Sequence, residues 1–155
     1  VAEKVGVGAI IFYYLSNNRM RDINFVMEDA LSFDGNTGPY AQYTYARTCS
    51  LLEKAGDAGK KAVPLAATAE EAELSRVLSL FPETVENAIA DYEPSVITRY
   101  ILDLCAAFNR FYHDCPVLKA EDEDVKNTRL TIVKAASTVL HNGLKLIGLR
   151  TPKNI

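Results

Sequence analysis

Between Pro94 and Pro116 the chain carries Ile97, Ile101, Leu104, Cys105, Phe108 and Tyr112. Their spacing of mostly three or four residues lays a continuous apolar stripe over about four turns of an α-helix. The prolines bound it, because proline is tolerated in a helix's first turn and breaks its middle. The same period recurs along the chain. Leu74, Val77, Leu78 and Phe81 form one set and Val85, Ala88, Ile89 and Tyr92 another, with Pro82 between them, which predicts two short helices meeting at Pro82. Leu130, Val133, Leu140, Leu144 and Ile147 make the apolar face of a last helix from about Asp124 to Ile147; Gly143 interrupts it, and Gly148 followed by Pro152 ends it. Residues 38–55 form a further helical stretch with Pro39 in the first turn and Thr37 or Gly38 as cap. The pattern is that of an all-α helical bundle of about five main helices.

Two segments depart from it. Residues 5–15, VGVGAIIFYYL, read locally as a strand, from their β-branched residues and glycines. The stretch GDAGKKAVPLAAT at 56–68 reads as a mobile connection.

Composition removes several classes. With 155 residues, 48% hydrophobic and 24% charged, the chain is one domain, or a domain plus an appended segment, and not disordered throughout. No apolar run approaches the roughly 20 residues that a bilayer span requires. Lys4 and the apolar run after it are followed by no small-residue cleavage site, which argues against a targeting segment, and a start at Val1 fits a piece of a longer chain. Three cysteines, Cys49, Cys105 and Cys115, are too few and odd in number for a disulfide scaffold; they read as buried or half-buried thiols in a cytoplasmic protein. His113 and Cys115 match no zinc-ligand spacing. Nucleophile elbow, P-loop, dinucleotide fingerprint and paired-histidine motifs are absent, so no catalytic residue is assigned. His113 and His141 read as structural or surface residues, and the acidic run 121–124 as charge placed before a helix N-terminus.

The formal net charge is −3, which disfavours gripping nucleic acid by bulk charge. Its distribution is uneven. Residues 1–124 hold 11 basic and all 20 acidic residues, a balance of −9, while residues 125–155 hold six bases and no acid.

The densest segment is DALSFDGNTGPYAQYTYAR, residues 29–47. Gly35 and Gly38 permit turns that other residues resist, and Asn36 and Thr37 can hold them with side-chain hydrogen bonds. Tyr40, Tyr43 and Arg47 fall at i, i+3, i+7 and share a helix face; Tyr45 points elsewhere. Spacing alone admits two readings, with the packing one ahead: core tyrosines with satisfied hydroxyls, or aromatics and an arginine that stack an unpaired base and hold a phosphate.

That segment resembles the C-terminal part of bacterial-type arginyl-tRNA synthetases. So, in the same order, do KVGVGAIIFYYLSNNR, RDINF, EPSVITRYILDLCAAFNRFYHDCPVL and NGLKLIGLRTP, so that the likeness runs from about residue 4 to 152. The resemblance implies a class I ligase that joins arginine to tRNA with ATP and Mg²⁺, on a Rossmann-type catalytic domain whose His-Ile-Gly-His-like and Lys-Met-Ser-Lys-Ser-like motifs are not in this chain. It implies that residues 28–155 are a helical anticodon-binding domain of the DALR type. Residues 1–27 would be a segment, helical in the family, joining it to an N-terminal catalytic domain. The fragment by itself would be inactive and need no cofactor. By the same resemblance Tyr40 is the aromatic of the anticodon pocket, Arg47 its arginine, and Asn109 and Tyr112 belong to the Phe-Asn-x-Phe-Tyr block beside it. Gln42 and Tyr43 match the motif with a role that packing can equally explain. The family's C-terminus, usually Pro-x-x-Met, lines the pocket; here Pro152 leads to Ile155 in place of the Met.

The function expected is recognition of the anticodon loop of an arginine tRNA, with no DNA or membrane partner. Tyr40 and Tyr112 would stack bases. Arg47 would bind phosphate or brace the pocket. Lys134, Lys145, Arg150 and Lys153 would contact the RNA backbone. The alternative is a helical docking module with little tRNA affinity of its own.

Overall fold

A computed structural model describes residues 1–56 and 68–155. The connection expected to be mobile falls almost wholly on residues 57–67, outside the described residues. Among the described residues seven helices follow in order: α1 (Ala2–Leu15), α2 (Met27–Leu31), α3 (Gly38–Ala55), α4 (Ala69–Ser79), α5 (Phe81–Ala90), α6 (Ser95–Asp114) and α7 (Glu123–Leu146). Among the described residues there is no strand. The five helices expected from periodicity are α3 to α7.

The stripe on α6 is the centre of the molecule. Ile101, Leu104, Cys105 and Phe108 are fully buried and join Leu74 of α4 and Val133, Leu140 and Leu144 of α7 in one core. Burial pushes the Cys105 thiol up to about 12, so it stays protonated and inert at neutral pH. Tyr112, the last member of the stripe, is instead 42% exposed. The starts of α3 and α7 follow capping chemistry. The Thr37 hydroxyl accepts from the Tyr40 N–H at 3.2 Å, and Asp122 accepts from the N–H groups of Asp124 and Val125, which is the dipole-matching role expected of the acidic run.

The second short helix departs from its pattern. α5 ends at Ala90, and Tyr92 lies beyond it at φ 50°, so its side chain leaves the helical face; Ile89 and Tyr92 are exposed and α5 contributes no buried residue. Gly143 does not interrupt α7. The helix runs through it, and the missing side chain admits Ile101, whose Cγ1 lies 3.2 Å from where a Cβ would stand. Gly148, at φ 81°, does end α7: Gly148 N–H bonds to Lys145 O and Leu149 N–H to Leu144 O, a Schellman closure.

Residues 5–14 are helical, as the resemblance implied and against their local propensity. The physical reason is a close crossing of α1 over α3. A Cβ on Gly8 would stand 2.7 Å from Gln42 Nε2, and one on Gly38 would stand 2.8 Å from both the Gly8 carbonyl oxygen and Phe12 Cβ. Gly38 therefore serves approach and not turning, in contrast to Gly35 at φ 83°. Packing Val5, Ala9 and Phe12 into that crossing outweighs strand propensity worth at most about 1 kcal/mol per residue. Gly38→Ala is expected to cost about 1–3 kcal/mol of stability, read as a lower urea midpoint. A loss below about 0.5 kcal/mol would mean that α1 slides freely on α3.

Candidate nucleic-acid interface

On α3, Tyr43 and Arg47 are four residues apart and Lys54 seven further on, so one side of the helix presents all three. On α6, Asn109 and Tyr112 are three apart and face them. The Arg47 guanidinium carbon lies 5.0 Å from the centroid of the Tyr43 ring and 5.0 Å from that of Tyr112, a cation held between two aromatic faces. Arg47 Nη1 donates to Asn109 Oδ1 at 2.7 Å, and Asn109 Nδ2 donates to the Tyr40 hydroxyl at 2.9 Å. The amide thus faces its oxygen to the guanidinium and its nitrogen to the phenol, and fixes both. Phe108 lies under Tyr112 with centroids 6.3 Å apart and planes at 24°. Phe33 meets the edge of Tyr43 at 6.5 Å.

These side chains border a cleft of about 360 Å³, closed on its other sides by Leu118 and the segment Lys153, Asn154, Ile155. Among the described residues Arg47, Lys54 and Lys153 line it, and no Asp or Glu side chain does. In a chain of net charge −3 this is a local positive basin. The volume suits a small planar ligand. Two other clefts are chemically different. One of about 320 Å³ is bordered by Asp29 and Asp34, and one of about 700 Å³ is mainly apolar, around Ile89, Tyr92 and Leu146.

The structure brings Tyr43, Arg47, Tyr112, Lys153 and Ile155 to the cleft, with Asn109 and Tyr40 behind it. Tyr40 is half-buried, its ring against the core and its hydroxyl on Asn109, so it braces the wall and does not line it. Tyr45 turns into the core near His141, and burial together with the neighbouring Cys49 pushes its hydroxyl up to about 12. Gln42 is wholly buried and donates from Nε2 to Lys4 O at 3.1 Å and Arg150 O at 2.7 Å, the packing role its motif allowed. Lys134, Lys145 and Arg150 are exposed elsewhere: none lines this cleft, and Arg150 borders a small crevice with Glu3 and Lys4. Lys54 and Ser50 line the cleft and were not anticipated, although Lys54 sits two turns past Arg47 on the same face.

Residues 41–155 match the family model described as the DALR anticodon binding domain. The chain is 46% identical over 150 residues to an arginine–tRNA ligase of Clostridium botulinum (strain 657), covering 96% of this chain and 27% of that protein. It is 48% identical over 150 residues to the arginine–tRNA ligase of Clostridium acetobutylicum, again 96% of this chain and 27% of the other. The Thermus thermophilus arginyl-tRNA synthetase structure superposes with a TM-score of 0.95 at 37% identity, over 99% of this chain and 27% of that one. The chain thus spans about 27% of the length of these relatives.

Proposed function

Because the chain belongs to the DALR anticodon binding domain family, we propose that it holds the anticodon loop of an arginine tRNA in the cleft between α3, α6 and residues 153–155. The observation that carries this reading is the Arg47 guanidinium lying over both Tyr43 and Tyr112 at the rim of a cleft that, among the described residues, is lined by cations and no carboxylate side chain. Loop bases are unstacked, so a base entering the cleft can lie against the free parts of the two tyrosine rings, each 42% exposed. Lys54 and Lys153 are placed to meet phosphate. Arg47 lies over both rings and donates to Asn109, so its role is to brace the rings and supply charge, and Tyr40 acts through Asn109. Lys134, Lys145 and Arg150 would touch RNA beyond the cleft.

Residues 28–155 are proposed as the binding domain, and residues 1–27 as the segment joining it to a catalytic region of the kind that the longer relatives' ligase activity requires. Among the described residues no three His, Cys, Asp or Glu side chains are grouped to hold a metal ion. ATP and Mg²⁺ chemistry is proposed to belong to the catalytic region of the longer relatives. No described helix is long and apolar enough to cross a membrane; a cytoplasmic location follows from the proposed partner.

A mobility-shift titration with arginine tRNA and a second tRNA, at two salt concentrations, tests the reading. The expected result is salt-sensitive binding that prefers arginine tRNA, weakened by about 1–3 kcal/mol in Tyr112→Ala if that ring stacks a base. Absence of binding to either tRNA would overturn it in favour of a docking module.

A further inference from the structure

After α7 the chain runs back across the molecule to reach the cleft, and one interior side chain holds it on the way. Gln42 of α3 is wholly buried. Its amide nitrogen Nε2 donates to two backbone carbonyls, Lys4 O of α1 at 3.1 Å and Arg150 O at 2.7 Å. Among the described residues its Oε1 has no hydrogen-bond partner. A buried oxygen left so costs stability, and an apolar side chain of the same length would not carry that cost. Filling space therefore does not account for an amide at this position; what the amide adds is its hold on two segments far apart in sequence.

Arg150 is followed by Thr151 and Pro152, and then by Lys153, Asn154 and Ile155, which line the cleft. Thr151 has a tie of its own, its hydroxyl lying 2.8 Å from His141 Nδ1, but that bond is exposed and water competes for it. Gln42 meets the tail from the inside. Tyr43, the next residue of α3, lines the cleft directly. One turn of α3 thus fixes two sides of the cleft, one through the Tyr43 ring and one through the Arg150 carbonyl. We propose that Gln42 is a positioning residue for the cleft, its amide setting how far Lys153, Asn154 and Ile155 stand from Tyr43 and Arg47. Its bearing on tRNA rests on the proposed function, whereas its hold on the tail is measurable without RNA.

Two variants of the 155-residue chain test it. Gln42→Met keeps the length of the side chain and removes both donor groups. Gln42→Asn keeps an amide and shortens its reach, and serves if the first variant fails to fold by circular dichroism. Nitrogen-15 relaxation reads the order of the tail. The expected result is that amide order parameters at residues 153–155 fall by about 0.2 or more, toward the flexible range below about 0.6, while those of α6 stay near about 0.85. In the mobility shift, Gln42→Met should bind arginine tRNA about five- to ten-fold more weakly. In a chain lacking residues 153–155 the same substitution should change affinity by less than about two-fold, because the segment it positions is gone. Unchanged tail order overturns the proposal. So does an equal loss of affinity with and without residues 153–155, which makes Gln42 a stabilising residue only, and so does failure of both variants to fold. If the unaltered chain binds no tRNA, the cleft reading falls, and the relaxation contrast still decides whether Gln42 positions the tail.

Discussion

Arg47→Ala is expected to weaken binding of arginine tRNA by about 2–3 kcal/mol, roughly 30- to 140-fold. Three effects add in one direction. The two tyrosine rings lose the cation that holds them at 5.0 Å on either side. Asn109 Oδ1 loses its donor at 2.7 Å, which loosens the hold on Tyr40 as well. One of the three cations that line the cleft among the described residues disappears. Arg47→Lys separates bracing from charge. A lysine restores the charge and hence the salt dependence, but its compact ammonium cannot present a flat face to two rings while donating to Asn109. Its affinity should therefore recover only the part of the loss that charge accounts for, and stay below that of the unaltered chain. Titrations at two salt concentrations, with circular dichroism as the check on folding, make the measurement. An alanine variant that binds as tightly as the unaltered chain would remove Arg47 from the site.

The largest effect on stability is expected at Glu71. Its carboxylate accepts from Arg129 Nε at 2.6 Å, and Arg129 Nη1 donates to the Pro116 carbonyl at 2.8 Å. The two side chains are 1% and 11% exposed. The pair ties the start of α4, the turn after α6 and the middle of α7 together. Glu71→Ala leaves a guanidinium shut away from water and should cost about 3–5 kcal/mol, against the 5–15 kcal/mol total typical of a domain. The double variant Glu71→Met with Arg129→Met removes both charges and should recover most of that loss. Urea unfolding of the single and double variants decides the matter: a single variant that loses less than about 1 kcal/mol would show the pair to be solvated in practice.

Much of this architecture was legible from periodicity, because α3, α6 and α7 each bury one face and announce it at a 3.6-residue spacing. Thr37 and Asp122 marked helix starts for the same local reason. α1 was not legible locally: Gly6, Gly8 and its β-branched residues argue for a strand, and the crossing at Gly8 and Gly38 that overrides them joins residues 30 apart in sequence. Tyr92 misled because a residue just past a helix end can keep the spacing and lose the face. In the cleft, Tyr43 and Arg47 could be paired from their spacing on one helix. Asn109 could be paired with Arg47 only through the family resemblance, since 62 residues separate them. Counting bases in residues 125–155 pointed to Lys134, Lys145 and Arg150, but a tally has no direction. None of the three lines the cleft, and Lys54 of α3 does, from the part of the chain that the tally marked as acidic.

Gln42 gives the cleft a place in the order of folding. Its amide joins backbone groups 38 residues before it and 108 residues after it. The helices can close within themselves, whereas a contact spanning 108 residues bears its loop-closure entropy before it returns anything. The segment that follows Arg150 is thus expected to be seated after α3 and α7 have met, and its residues Lys153, Asn154 and Ile155 form one wall of the cleft. Under the proposed function, competence to bind a base would await the seating of this last segment.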